Sequence, residues 1–137
     1  MRWNGVGFFI SIILSATASN ISSAEPNWSG DYANNNFLNG QAAFQMSIEQ
    51  SGSAIQVSFN AAYTDAHGAA PDGGGQAKII GKNRLEFGWE DSFQNSGTGT
   101  IKRTGYGITV SMKTMQVVDS RCLVFYGDKM RLKRVKK

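Results

Sequence analysis

Phe44 to Phe59 reads FQMSIEQSGSAIQVSF, and its two halves alternate in the same way about a central Ser51-Gly52-Ser53. Phe44, Met46 and Ile48 alternate with Gln45, Ser47 and Glu49, and Ile55, Val57 and Phe59 alternate with Gln56 and Ser58. A period of two puts successive side chains on opposite faces of a strand, so each half is a strand with one apolar face. Gly52 supplies the positive φ that a tight hairpin turn needs. The segment therefore predicts a β-hairpin that must bury one side.

The same pattern recurs outward from this hairpin. Leu85, Phe87 and Trp89 alternate with polar or small residues, as do Tyr106, Ile108, Val110 and Met112, then Leu123 and Phe125, and finally Met130, Leu132 and Arg134. Turn residues stand between them at Gly81-Lys82-Asn83, Thr104-Gly105 and Gly127-Asp128. Helical spacing is nearly absent, so the chain is all-β, an antiparallel up-and-down meander of about eight strands. Closing the meander into a small barrel removes both exposed edges. A two-sheet β-sandwich is the alternative.

Ahead of the strands lie Met1-Arg2, an apolar run from Val6 to Leu14 and small residues up to Ala24. That order of basic, apolar and small segments predicts a signal peptide over residues 1–24, with an exported, periplasmic or extracellular, domain over 25–137. The apolar run is shorter than the roughly 20 residues a membrane span requires. The remaining 113 residues suffice for one core. Cys122 is the single cysteine, so no internal disulfide forms, and its apolar neighbours predict a small buried hydrophobe.

Charge divides along the chain. Residues 25–77 carry five acids and no Lys or Arg, whereas residues 78–137 carry 13 basic residues against five acids. Strand direction sorts these charges further. If the strand ending at Tyr63 runs upward, the tight turns fall at the bottom with Lys82, Arg103 and Lys129. The longer connections, 33–41, 64–75, 90–98 and 113–119, then gather at the top. Loops grouped at one end of a rigid barrel are a common recognition surface. The top should be acidic, and its candidate binding residues are Asp65, His67, Asp72, Glu90, Asp91, Phe93 and Asn95.

The loop YTDAHGAAPDGGG, from Tyr63 to Gly75, holds the chain's only His. A tight transition-metal site wants three or more His, Cys or carboxylate ligands, so no metal or other cofactor is assigned. Asp65 and Asp72 are expected to fix turns by accepting backbone N–H bonds. No catalytic residue is assigned either: Ser92 and Ser96 lack a nucleophile elbow, and a small hydrolase using His67 with the loop carboxylates stands as an alternative. The aromatics sit in core-like strands and not among the basic residues, which speaks against nucleic acid.

Trp28-Ser29-Gly30-Asp31-Tyr32, a Trp-x-Gly-x-Tyr opening followed by a strand meander, resembles the calycin-like small barrels of lipocalin and avidin type. The resemblance implies that Trp28 packs across the barrel base. It also implies a second functional alternative, a small-ligand carrier with a cavity lined by Tyr63, Trp89 and Tyr126. Size, leader and barrel are similar, more weakly, to bacterial periplasmic lysozyme inhibitors. The Tyr of their Ser-Gly-x-x-Tyr loop is absent from both Ser51–Ile55 and Ser96–Thr100. The leading expectation is an exported, non-enzymatic binding protein that uses its long-loop end on a protein partner, such as a basic, lysozyme-like cell-wall hydrolase.

Overall fold

A computed structural model describes residues 27–136. The signal peptide expected over residues 1–24 lies outside the described residues. Eight strands follow one another: β1 Gly30–Asn36, β2 Ala42–Ser51, β3 Ala54–Tyr63, β4 Asp72–Gly81, β5 Arg84–Asp91, β6 Ser96–Arg103, β7 Gly107–Gln116 and β8 Met130–Arg134. Each pairs antiparallel with its sequence neighbour, and β8 pairs back onto β1 through Tyr32↔Arg134 and Ala33↔Lys133. The sheet is a closed up-and-down barrel, as the alternation predicts, and not a sandwich.

The pleat accounts for the interior. On β5 the inward series Leu85, Phe87 and Trp89 is buried while Glu86, Gly88 and Glu90 are exposed. The same parity sends Phe44, Met46 and Ile48 of β2, and Ile55, Val57 and Phe59 of β3, into one core. Burial of each such side chain contributes about 1.5–3 kcal/mol. Trp28 joins this core at the base, where the Arg103 guanidinium sits 3.8 Å from its ring centroid. The base packing implied by the Trp-x-Gly-x-Tyr opening is therefore present.

Between β7 and β8 the sequence reading needs correction. The alternation of Leu123 and Phe125 predicts a strand and Gly127-Asp128 a bottom turn, but Ser120–Phe125 is a 3-10 helix. Its buried residues are Cys122 and Phe125, spaced by the three-residue period of that helix. Asp119 starts it by accepting the Arg121 N–H through its side chain. Gly127 lies partway up the wall, where its carbonyl accepts the Met112 N–H. Lys129 follows beside Ser111, so it does not belong to the bottom as expected.

The barrel also needs a strand with almost no side chains. A Cβ on Gly74 would lie 2.1 Å from the Val57 carbonyl oxygen, and one on Gly75 would lie 1.9 Å from that of Gly88. The Gly73-Gly74-Gly75 run thus lets β4 nest against both neighbouring backbones. Gly81, at the far end of the same strand, has open space around its Cβ position. Gly74→Ala should therefore lower unfolding free energy by roughly 2 kcal/mol or more, as forced overpacking does, while Gly81→Ala should change it by less than about 0.5 kcal/mol. Urea denaturation of the two variants side by side checks the contrast.

Candidate functional site

The upward ends of β1, β3, β5 and β7 bring four connections together: the single helical turn Phe37–Gly40, the loop 64–71, the turn 92–95 and the segment 117–129 that holds the 3-10 helix. The long connections do share one end. That end is plugged by a column of rings. Phe44 stacks on Phe59 at 5.9 Å, Phe59 meets Trp89 and Tyr126 edge-on, and Phe125 packs 5.3 Å from Tyr63. Trp89 and Tyr126 are themselves 4.7 Å apart. Tyr63, Trp89 and Tyr126, expected to line a carrier's cavity, instead pack against the core rings and fill it.

The loop 64–71 is tied down at both ends. The Thr64 N–H donates to the Gln41 carbonyl and the Ala61 N–H to that of Pro71. Ala66 and Gly68 take positive φ, and His67 between them stacks on the Tyr63 ring at 4.1 Å. Asp65 accepts the His67 N–H, fixing a turn as expected, and its carboxylate also meets the imidazole Nδ1. These bonds from His67 hold the Asp65 carboxyl below its ordinary pKa. Asp65 and His67 are both exposed. Among the described residues no group of three or more His, Cys, Asp or Glu side chains is placed to hold a metal ion.

Asp91 and Asn95 have a different character. Asp91 continues the inward parity of β5 and is only 5% exposed, and Asn95 is fully buried. Asp91 Oδ1 accepts the N–H groups of Phe93 and Asn95, and Oδ2 accepts Asn95 Nδ2 at 2.9 Å and the Tyr126 hydroxyl at 2.6 Å. Asn95 Oδ1 in turn accepts the N–H groups of Val118 and Asp119, and Nδ2 also donates to the Asp119 carbonyl. The pair locks the 92–95 turn to the segment carrying the plug. Their polar atoms face inward, so their part at this end is to hold its shape. Burial first, and the bond to Asp91 second, push the Tyr126 phenol far above its ordinary pKa.

Asp72, Glu90 and Phe93 remain open to solvent to different degrees: Asp72 and Glu90 are exposed and Phe93 half-buried beneath the Arg121 guanidinium. Asp72 and Glu90 belong to two outward rows, one crossing five strands and one crossing four. One runs Asp31, Ser47, Ser58, Gly74, Glu90, and the other Ala33, Gln45, Asn60, Asp72. Together the rows line an open trough of about 1050 Å³ whose walls, among the described residues, include no Lys or Arg. The bare glycine of β4 keeps it deep. Sequence reading missed this trough because it depends on register between strands, which no single strand's pattern reports.

No family model, curated protein or solved structure matches the chain. Among the described residues no helix is long and apolar enough to cross a membrane. Beside the trough's rim, the turn 92–95 leads to exposed Met115, Val117, Val118 and Val124, an apolar ledge that alternation alone did not single out. The signal for it was present in Met115-Gln116-Val117-Val118, where apolar residues continue beyond the last inward position of β7.

Two measurements check this geometry. Asp91→Asn puts an amide N–H₂ where four donors already converge, and should destabilise the fold by about 2–4 kcal/mol in denaturant titrations, the cost of breaking a buried polar network. Cys122 is buried and its thiol is pushed up to about 11, by desolvation first and by Asp91 and Asp119 next. It should therefore resist disulfide reagents at pH 8 in the native protein and react once denaturant exposes it, as absorbance of the released thiolate would record.

Proposed function

We propose that the protein is an exported, non-enzymatic binding protein whose acidic trough and adjoining loop end take a basic protein partner, in the most concrete form a lysozyme-like cell-wall hydrolase. The observation that carries the reading is the trough. It sets Asp72 and Glu90 on one face among hydroxyl and amide neighbours, and among the described residues its lining includes no Lys or Arg. Carboxylates arranged on a rigid concave wall concentrate field lines and steer a cationic partner during approach. Asp65 extends that charge onto the loop end, and the Met115, Val117, Val118 ledge offers apolar area of the kind that holds a partner after encounter.

The ring packing weighs against the carrier alternative, since Tyr63, Trp89 and Tyr126, the side chains a carrier would need around its ligand, pack against one another and the core rings. Asp91 takes part only through the shape it gives the end, which leaves Asp72 and Glu90 as the charge that a partner meets. The resemblance to lysozyme inhibitors supplies the candidate class, and the trough supplies the complementarity.

The test pairs surface plasmon resonance on an immobilised basic lysozyme with an assay of cell-wall lysis. The native protein should bind the lysozyme and slow lysis. Asp72→Lys/Glu90→Lys should lower the association rate at least about tenfold at low salt, with the difference shrinking as ionic strength screens the field. Equal association rates for the two proteins would remove the trough from recognition. Absence of both capture and slowed lysis would remove lysozyme as the partner.

A further inference from the structure

At the opposite end of the barrel a second concavity has the reverse chemistry. It is a pocket of about 250 Å³ lined by Asn27, Tyr32, Arg103, Thr104, Tyr106 and Arg134, with the backbone of Gly105 and Gly107. Two arginines thus line one small space. Both are held by neutral groups. Arg103 lies flat over the Trp28 ring, its Cζ 3.8 Å from the centroid. Arg134 donates from Nη2 to the Ser29 carbonyl at 3.1 Å and approaches the Tyr32 hydroxyl at 3.4 Å.

Gly30 makes room for the second of these. A Cβ there would lie 3.0 Å from Arg134 Cζ and 3.0 Å from the Tyr32 hydroxyl oxygen. Among the described residues neither Arg103 nor Arg134 forms a salt bridge to Asp or Glu. Positive charge continues outward from the pocket: Lys102 of β6 and Arg131 of β8 both pair with Thr109 of β7, and Lys133 of β8 pairs with Gly107. Guanidinium stays protonated at every physiological pH, so this charge is permanent.

We infer that the base of the barrel is a binding site for a phosphate group. A carboxylate has two oxygens, and a single guanidinium fork satisfies them. Two forks with the Tyr32 and Thr104 hydroxyls beside them offer more donors than a carboxylate can accept, and a tetrahedral oxyanion can use them. The volume sets the size of what enters. It falls below the roughly 300 Å³ at which pockets take whole small molecules, and a water occupies about 30 Å³, so the space suits a phosphoryl group with a few waters. The rest of the ligand, whether a soluble ester or a lipid, stays outside.

The stacking of Arg103 on Trp28 and the clamp on Arg134 fix both forks before a ligand arrives, which lowers the ordering cost of binding. The site is independent of the acidic trough and stands or falls separately from the proposed partner.

Two titrations of the ¹⁵N-labelled full chain test it, one with inorganic phosphate and one with phosphatidylcholine vesicles with or without phosphatidic acid. Saturable shifts at the Gly105 and Tyr106 amides are expected in at least one titration, with affinity falling as salt rises. Arg134→Gln should weaken binding at least tenfold and Tyr32→Phe severalfold. The titration that saturates names the source, free phosphate or lipid headgroup. A linear response in both, an equal response to acetate, or saturable binding untouched by the variants would overturn the inference. If Arg134→Gln fails to fold, Tyr32→Phe decides, because it keeps the packed ring and removes only the hydroxyl.

Discussion

Closure of the sheet is the constraint on which everything else depends. Eight strands pair in a ring, so no wall strand leaves a row of backbone N–H and carbonyl groups unpaired. The ring then forces each strand to send alternate side chains inward, and Phe44, Phe59, Phe87, Trp89 and Phe125 take that space between them. Closure also demands close approach where β4 passes its neighbours, and Gly73-Gly74-Gly75 meets that demand by carrying no Cβ. Gly74, the outward-facing one of the three, also leaves the outer face hollow. Packing on the inside and the trough on the outside are thus two results of one requirement.

The two ends of the barrel are closed by unlike means, and their chemistry follows. At the top a buried carboxylate, Asp91, gathers four hydrogen-bond donors and ties the 92–95 turn to the plug through Asn95 and Tyr126. A network satisfied at every member rigidifies what it joins. The loop that carries Asp65 and the start of β4 at Asp72 therefore sit beside a stiff platform. At the base an indole is covered by a guanidinium, and no acid is needed. Acidic and basic surfaces consequently occupy different parts of one small molecule.

Much of this was legible in the sequence because a period of two is a local property. The alternation in Phe44 to Phe59 is enough to assign strands, and counting turns is enough to group the long connections at one end. The 3-10 helix was not legible. Leu123 and Phe125 alternate as a strand would, and only the position of Asp119 as a cap distinguishes the two readings. Asp91 was within reach and overlooked: extending the inward parity of Leu85, Phe87 and Trp89 by one step places it inside. The trough and the phosphate-sized pocket were out of reach, since both arise from residues brought level by register, such as Asn60 with Asp72 and Tyr32 with Arg134.

The seam between β1 and β8 has a kinetic meaning. It joins the earliest strand to the latest through two paired positions, Tyr32↔Arg134 and Ala33↔Lys133, while β2 and β3 share ten. A growing chain can form the hairpin of β2 and β3 early, yet it cannot finish the ring until Met130–Arg134 have left the ribosome. Until then the apolar interior has no lasting enclosure. The native barrel is therefore a product of the chain through Met130–Arg134 and of no shorter stretch of it.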